Sequence, residues 1–97
     1  MKAPRFLLPA EIEMAEAAVF YETQVESLGL NFLTIVEAAV YGIVDQPDMW
    51  PDIGHGIRKR PLRRFPYSIL YRLDGDEIII VAVMHQRRRP SYWLGRV

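Results

Sequence analysis

The side chains best suited to chemistry lie in the last part of the chain, directly after a long apolar run. His85 is followed by three consecutive arginines, by Tyr92 and by Trp93. A histidine can act as a general base, an arginine can stabilise the charge of a phosphorane, and a tyrosine can protonate a leaving oxygen. His85, Arg88 and Tyr92 are therefore candidate catalytic residues for cleavage of RNA by its own 2′-hydroxyl.

Further basic and aromatic residues precede the strands that lead to His85. Basic side chains interleaved with aromatic ones are suited to contacting phosphates and stacking on bases. The candidate residues for binding a nucleic acid or another target are Arg58, Lys59, Arg60, Arg63, Arg64, Arg87, Arg89 and Trp93.

Each of these candidates has a structural alternative. His85 can be a histidine at the end of a strand, hydrogen-bonded to the backbone, as well as a functional one. His55 lies between two glycines, which is typical of a loop residue. Trp50 and Trp93 are expected to cover the core more often than they stack on bases.

The charge is distributed unevenly although the formal net charge is zero. Residues 1–52 have two basic against nine acidic residues, a net charge of −7, and residues 53–97 have ten against three, a net charge of +7. This asymmetry indicates a polyanion or an acidic partner, while two solvated faces that offset each other are the alternative.

The composition limits the classes of protein that this chain can represent. Ninety-seven residues with 51% hydrophobic and 25% charged side chains predict one globular domain over residues 1–97. The absence of cysteine excludes a disulfide scaffold, a thiol nucleophile and thiolate zinc sites. Neither a phosphate-binding glycine loop nor a metalloprotease or calcium-binding motif is present, and we expect no metal and no cofactor. The first residues predict neither a signal peptide nor a membrane span, and we expect a cytoplasmic protein.

The first half of the sequence has the periodicity of two helices. Residues 3–8 predict a strand, and a helix begins at Pro9 and ends at Gly29 as its C-cap. Asn31 then caps a second helix, which Pro47 ends. The two apolar stripes consist of Met14, Ala17, Ala18, Tyr21, Val25 and Leu28 in the first helix and of Phe32, Ile35, Val36, Ala39 and Ile43 in the second.

The second half has the pattern of a sheet. Residues 57–65 predict a basic strand in which Pro61, lacking an amide proton, requires an edge position or a bulge. A strand over residues 67–73, a tight turn at 74–76 and a central strand at 78–84 follow, and residues 85–97 are expected to be irregular with one helical turn. The predicted fold is α+β, in the order β-α-α-β-β-β, with an antiparallel sheet packed against a helical hairpin.

Two C-terminal motifs at this spacing resemble the RelE/ParE family of toxins from bacterial type II toxin-antitoxin systems. They are residues 64–71, RFPYSILY, and residues 82–93, AVMHQRRRPSYW. Residues 16–22, 28–32 and 47–51 are similar to the helical hairpin of the family and the loop after it. One departure is Pro61, which stands where the family usually has an apolar residue and makes the pairing of that strand uncertain.

The resemblance implies a toxin neutralised by a cognate antitoxin, and it leaves two mechanisms open. RelE-like members cut messenger RNA on the ribosome, with His85 and Arg88 at the matching positions and Tyr92 in support. ParE-like members, often described as plasmid-stabilisation toxins, inhibit DNA gyrase, and the same segment then serves as a contact surface without catalysis. The resemblance is nearer to the ParE-like branch.

Gyrase inhibition is the expected function, and two alternatives remain. No carboxylate of the basic half outside the turn at residues 74–77 is available to orient His85 as a base, which disfavours the nuclease. A ribosome-dependent mRNA endonuclease is the first alternative, so whether the protein is an enzyme stays open. A non-toxic basic module that binds an acidic helix is the second.

Overall fold

The computed structural model describes residues 3–97, and of Ala3 the backbone alone. The predicted order of elements and the α+β fold class are confirmed. The elements are β1 (Ala3–Phe6), α1 (Leu8–Gln24), α2 (Leu28–Asp45), β2 (Arg58–Pro61), β3 (Tyr67–Asp74), β4 (Glu77–His85) and a short 3₁₀ helix (Leu94–Arg96).

The four strands form one sheet in the order β1-β4-β3-β2. β2, β3 and β4 are antiparallel, as expected, but β1 pairs with β4 in the parallel direction, with Phe6 opposite Ile80, so the sheet is mixed. Parallel neighbours need a long crossover, and the helices between β1 and the other strands provide it. Pro61 is the last residue of the edge strand β2, where a missing amide proton disrupts no inner ladder.

The helical hairpin is tighter than its sequence indicates. α1 ends before Gly29 and α2 begins before Asn31, so neither residue is the predicted cap. The cap is Glu22 instead, because its carboxylate accepts the N–H groups of Ser27 at 2.8 Å and Gly29 at 2.9 Å at the start of α2. A negative charge at a helix N-terminus satisfies free amides and interacts favourably with the helix dipole.

Gly29 allows the two helices to approach each other closely. A Cβ atom at this position would lie 2.4 Å from the carbonyl oxygen of Ala18 in α1. The glycine is therefore required by packing between helices, whereas the sequence suggested that it ends one.

The face of the sheet that packs against the helices carries the larger part of the core. Phe32, Val36 and Ile43 of α2 are fully buried there, which confirms their predicted place. Val25 was expected in the same stripe, but it follows the end of α1 and its side chain is 58% exposed.

The outer face of the sheet is covered by the C-terminal segment instead of a helix. Trp93 is 3% exposed there and lies over the strands, as expected of a residue that covers the core. This second apolar cluster consists of Ile57, Leu70, Ile79, Val81, Ala82, Met84 and Trp93.

Within residues 3–97, α2 is the one helix that is long and apolar enough to cross a membrane by length and composition. Its buried apolar residues form the side of the helix that packs on α1 and the sheet, whereas Leu30 and Tyr41 are exposed. Core packing accounts for the apolar character of that side of α2.

The stabilities of two truncation variants should distinguish a buried position of the helical hairpin from an exposed one. Phe32→Ala is expected to lower the free energy of unfolding by about 3–5 kcal/mol, because it leaves a cavity between α2 and the sheet. Val25→Ala, at an exposed position, should change it by less than about 0.5 kcal/mol. Urea unfolding of both variants tests this, and equal stabilities would contradict the assigned core.

Two glycines of α2 form a matched pair for testing the helix contact. Gly29→Ala should destabilise the protein by about 1–3 kcal/mol, because the new methyl group meets the backbone of Ala18. At Gly42 nothing lies within 4 Å of the added Cβ, so Gly42→Ala should stabilise the helix by about 0.5–1 kcal/mol. Thermal unfolding shifts of the same sign would show that the hairpin is packed differently.

Candidate functional site

A β-bulge in β4 determines which face of the sheet carries His85. The partner of Tyr71 is Ile80 and that of Leu70 is Ala82, so Val81 is an extra residue in β4. Val81 and Ala82 both face the outer cluster, and the alternation after them is reversed. His85 therefore lies on the helix side, with its ring 4.9 Å from that of Tyr67.

Glu13 of α1 lies at the centre of the site and connects three parts of the chain. Its two oxygens accept a paired contact from Arg96, with both N···O distances 2.9 Å. The hydroxyl of Tyr92 donates to Oε2 at 2.7 Å, and the backbone N–H of Val83 donates to Oε1 at 3.0 Å. The carboxylate thus joins α1 to both β4 and the C-terminal segment.

This cluster completes the edge of β4 beyond the end of β1. β1 pairs with β4 only as far as Ile80, which also accepts the N–H of Leu7. Past that point Val83 donates to Glu13, and the carbonyl of Val81 accepts from Arg96 at 3.1 Å. Side chains take the place of the missing strand here, so the amide of Val83 and the carbonyl of Val81 are both hydrogen-bonded.

The ionisation of the cluster follows from its contacts. Burial acts to raise the pKa of the Glu13 carboxyl, but hydrogen bonds from Arg96, Tyr92 and Val83 outweigh it and hold that pKa below its ordinary value. The hydrogen bond to Glu13 raises the pKa of Arg96. Burial, and then the hydrogen bond to Glu13, raise the pKa of the Tyr92 phenol far above its ordinary value, so this group is a weak acid at neutral pH.

The imidazole of His85 is engaged by the backbone. The N–H of Arg87 donates to Nδ1 of His85 at 3.0 Å, so this nitrogen carries a lone pair and the proton of the neutral ring is on Nε2. A general base needs a free lone pair directed at its substrate. The one lone pair of this tautomer is already in a hydrogen bond, which is the structural alternative that the sequence left open.

Arg88 and Tyr92 lie together beside His85. The guanidinium of Arg88 is 4.0 Å from the centre of the Tyr92 ring, and that of Arg96 is 4.9 Å from it. All three candidate catalytic residues line one cleft of about 290 Å³. Glu16 lines the same cleft without an ion-pair partner in residues 3–97, and its carboxylate repels the phosphate that a nuclease must bind.

Two of the other candidate binding residues have structural contacts on the helix side of the sheet. Arg58 donates to the carbonyl of Trp50 at 2.6 Å and to that of Asp48 at 3.2 Å, which fixes the loop before β2. The guanidinium of Arg60 lies 4.8 Å from the centre of the Trp50 ring and donates to the carbonyl of Pro61. Burial, and then the charge of Arg63, lower the pKa of Arg60.

The remaining candidates lie in different places. Lys59 is half-buried and points to the outer face, since its partner in β3 is Leu70. Trp93 is buried in the outer cluster, so its ring faces the core. A third group is exposed at one end of the molecule, where the N–H of Gln86 donates to the carbonyl of Pro66 and brings two loops together. We call this group the arginine surface, and it consists of Arg63, Arg64, Arg87, Arg88 and Arg89.

Sequence reasoning missed Glu13 and Arg96, the two residues that organise the site. One signal was available for Glu13, because it stands three residues after Ala10 and four before Ala17, at the border of the buried stripe of α1. A carboxylate at such a position needs a partner. Its partner is 83 positions away along the chain, and no local pattern indicates it.

No group of three or more histidine, cysteine, aspartate or glutamate side chains able to hold a metal ion occurs in the part of the chain that the structure describes.

Loss of the Glu13 charge should destabilise the fold in a way that depends on pH. The lowered pKa means that this group stabilises the folded state above the ordinary value of 4.5, and that the contribution is lost as the pH falls through the lower folded value. At neutral pH, Glu13→Gln should reduce the free energy of unfolding by about 3 kcal/mol, because Arg96 loses its counter-charge.

Urea unfolding at about pH 7 and about pH 3 measures both effects, and the variant should lose less stability on acidification than the parent. Glu16→Gln is the matched control, since Glu16 is exposed in the same cleft, and it should change stability by less than about 0.5 kcal/mol. Equal behaviour of the two variants would contradict the role of Glu13.

Comparison with known proteins identifies the family. The family model described as the ParE toxin of the type II toxin-antitoxin system, parDE, matches residues 5–90. A solved structure from P. aeruginosa, titled as a chromosomal ParDE TA system, is similar at a TM-score of 0.65 and 20% identity, over 88% of this chain and 96% of that one. At this identity the likeness shows the fold alone, and no curated protein matches the sequence. The family match covers most of the chain, and the protein belongs to the ParE toxin family of type II toxin-antitoxin systems.

Proposed function

We propose that the protein arrests growth in the cytoplasm by inhibiting DNA gyrase through surface contact, and that a cognate antitoxin neutralises it. Membership of the ParE toxin family supports the toxin role. The observation that carries the mechanism is that two of the three groups needed for RNA cleavage are already held in structural hydrogen bonds, the Tyr92 hydroxyl by Glu13 and the His85 imidazole by the backbone.

Each of the three nuclease roles meets an obstacle in this geometry. The lone pair on Nδ1 of His85 accepts a backbone N–H. The proton of the Tyr92 hydroxyl is donated to a carboxylate, and its pKa is raised. Arg88 remains free to meet a phosphate, but the carboxylate of Glu16 lines the cleft beside it. Charge stabilisation alone does not supply the proton transfers that such cleavage requires.

The arginine surface is suited to binding without chemistry. In residues 3–97 none of its five side chains forms an ion pair, although Arg64 lies 5.8 Å from the centre of the Phe65 ring and Arg88 lies 4.0 Å from that of Tyr92. Unpaired guanidinium groups on a protein surface attract an acidic partner and raise its rate of association. This surface therefore supports contact with an acidic region of a protein target.

An antitoxin of suitable chemistry would combine carboxylates with apolar side chains. The solvent side of α1 displays Leu8, Ile12, Val19 and Phe20, each about half exposed or more. Apolar side chains spaced along one helix in this way are covered in complexes more often than they are left in water. An acidic antitoxin segment that reaches both α1 and the arginine surface would cover the charge and the apolar side chains together.

The purified protein should inhibit supercoiling of relaxed plasmid by gyrase in the absence of ribosomes, and it should leave messenger RNA uncut on translating ribosomes. Arg88→Ala should raise the half-inhibitory concentration, because a side chain is lost from the contact surface. Arg5→Ala, an exposed arginine of β1 outside that surface, is the matched control and should not.

His85→Ala separates contact from catalysis. A contact inhibitor should lose less than about tenfold in potency, whereas a nuclease that uses this histidine for proton transfer should lose about 10²–10⁴ in rate. Cleavage of messenger RNA by the parent, abolished in this variant, with supercoiling unaffected, would contradict the proposal and favour the RelE-like endonuclease. Activity in neither assay would favour a non-toxic binding module.

A further inference from the structure

A second cleft, of about 380 Å³, opens on the outer face of the sheet. Apolar side chains of Met84, Trp93, Ile53 and Leu94 form much of its wall. Its volume is in the range of clefts that bind small molecules. It lies on the opposite side of the sheet from the Glu13 cleft, and Arg88 contributes to both.

The polar lining of this outer cleft consists of groups able to donate hydrogen bonds. Lys59, His55 and Arg88 supply basic side chains, and Gln86 and Ser91 supply an amide and a hydroxyl. None of the lining residues is acidic. Lys59 is half-buried and has no ion-pair partner in the described part of the chain, so its charge is uncompensated at the wall of the cleft.

The indole ring of Trp93 lines the outer cleft and can report on what binds there. Its side chain is 3% exposed, and its indole Nε1 is buried without a hydrogen-bond partner among residues 3–97. Buried donors are nearly always paired, because an unpaired one loses its hydration without compensation. The ring of His55 lies 6.2 Å from that of Trp93, so a basic imidazole stands near the unpaired indole.

We infer that the outer cleft binds a small organic anion, with one carboxylate or phosphate group held by Lys59 and an apolar body on Met84 and Trp93. The anion supplies the counter-charge that Lys59 lacks. An apolar body is required as well, because the wall between the basic groups is hydrocarbon. The site does not depend on gyrase inhibition, and it uses neither Glu13 nor His85.

The indole N–H resonance of Trp93 in ¹⁵N-labelled protein measures this binding directly, and Trp50→Phe assigns it by removing the other indole signal. The probes are benzoate, phenyl phosphate, acetate, inorganic phosphate and benzyl alcohol. Benzoate or phenyl phosphate should shift the Trp93 resonance and bind at least about tenfold more tightly than acetate, inorganic phosphate or benzyl alcohol, because charge contact and apolar burial then act together. Whichever of the two binds more tightly identifies the preferred head group.

Two matched variants test the assignment to this cleft. Lys59→Gln should weaken binding of the preferred probe about tenfold, while Arg63→Gln, an exposed basic residue outside the cleft, should leave it unchanged. The unchanged remainder of the spectrum verifies that both variants are folded. A Trp93 resonance that no probe shifts, acetate binding as tightly as benzoate, or equal weakening by the two variants would overturn the inference.

Discussion

The hydrogen bonds to the carboxylate of Glu13 are the interaction on which the arrangement of this site depends. Four donors converge on it, two from Arg96 and one each from Tyr92 and Val83. They connect a helix near the N-terminus with the central strand and the C-terminal segment. A half-buried carboxylate is stable only when its oxygens accept hydrogen bonds. In this site the donors are the Arg96 guanidinium, the Tyr92 hydroxyl and the Val83 amide. The ion pair therefore fixes the path of the chain after β4.

The same part of the site supports the proposed choice of gyrase inhibition over RNA cleavage. A fold does not determine a function, which depends on the chemistry of particular side chains. In this site the hydroxyl of Tyr92 and the imidazole of His85 take part in structural hydrogen bonds, whereas the five residues of the arginine surface are exposed. Stabilising the C-terminal segment and supplying acid-base groups are competing uses of the same residues. The geometry favours the first.

Periodicity predicted the local features of the fold well. The helical stripe with Phe32 and Ile43, the buried run of β4 and the edge position of Pro61 follow from spacing and backbone chemistry alone. What failed depends on contacts between distant segments. Gly29 resembles a helix end until its distance to Ala18 is known, and the parallel direction of β1 is a property of the completed sheet.

The candidate site was predictable only in part. Its C-terminal residues were recognisable by type. The bulge at Val81 was not, because it lies in an uninterrupted apolar run in which polar and apolar residues do not alternate. That extra residue decides the face on which His85 lies. Glu13 comes from the other end of the chain. The net charges of the two halves do not indicate that this acid of the first half forms an ion pair with Arg96 of the second.

Hydrogen exchange at the backbone amide of Val83 tests the central claim most directly, because this amide lies beyond the end of β1 and donates to Glu13. Side-chain closure of the strand edge predicts that it exchanges as slowly as the ladder amides of β4, through global unfolding. It also predicts that exchange becomes fast when Glu13 is replaced by glutamine. A Val83 amide that exchanges in the parent protein as fast as those of the loop around His55 would contradict the account.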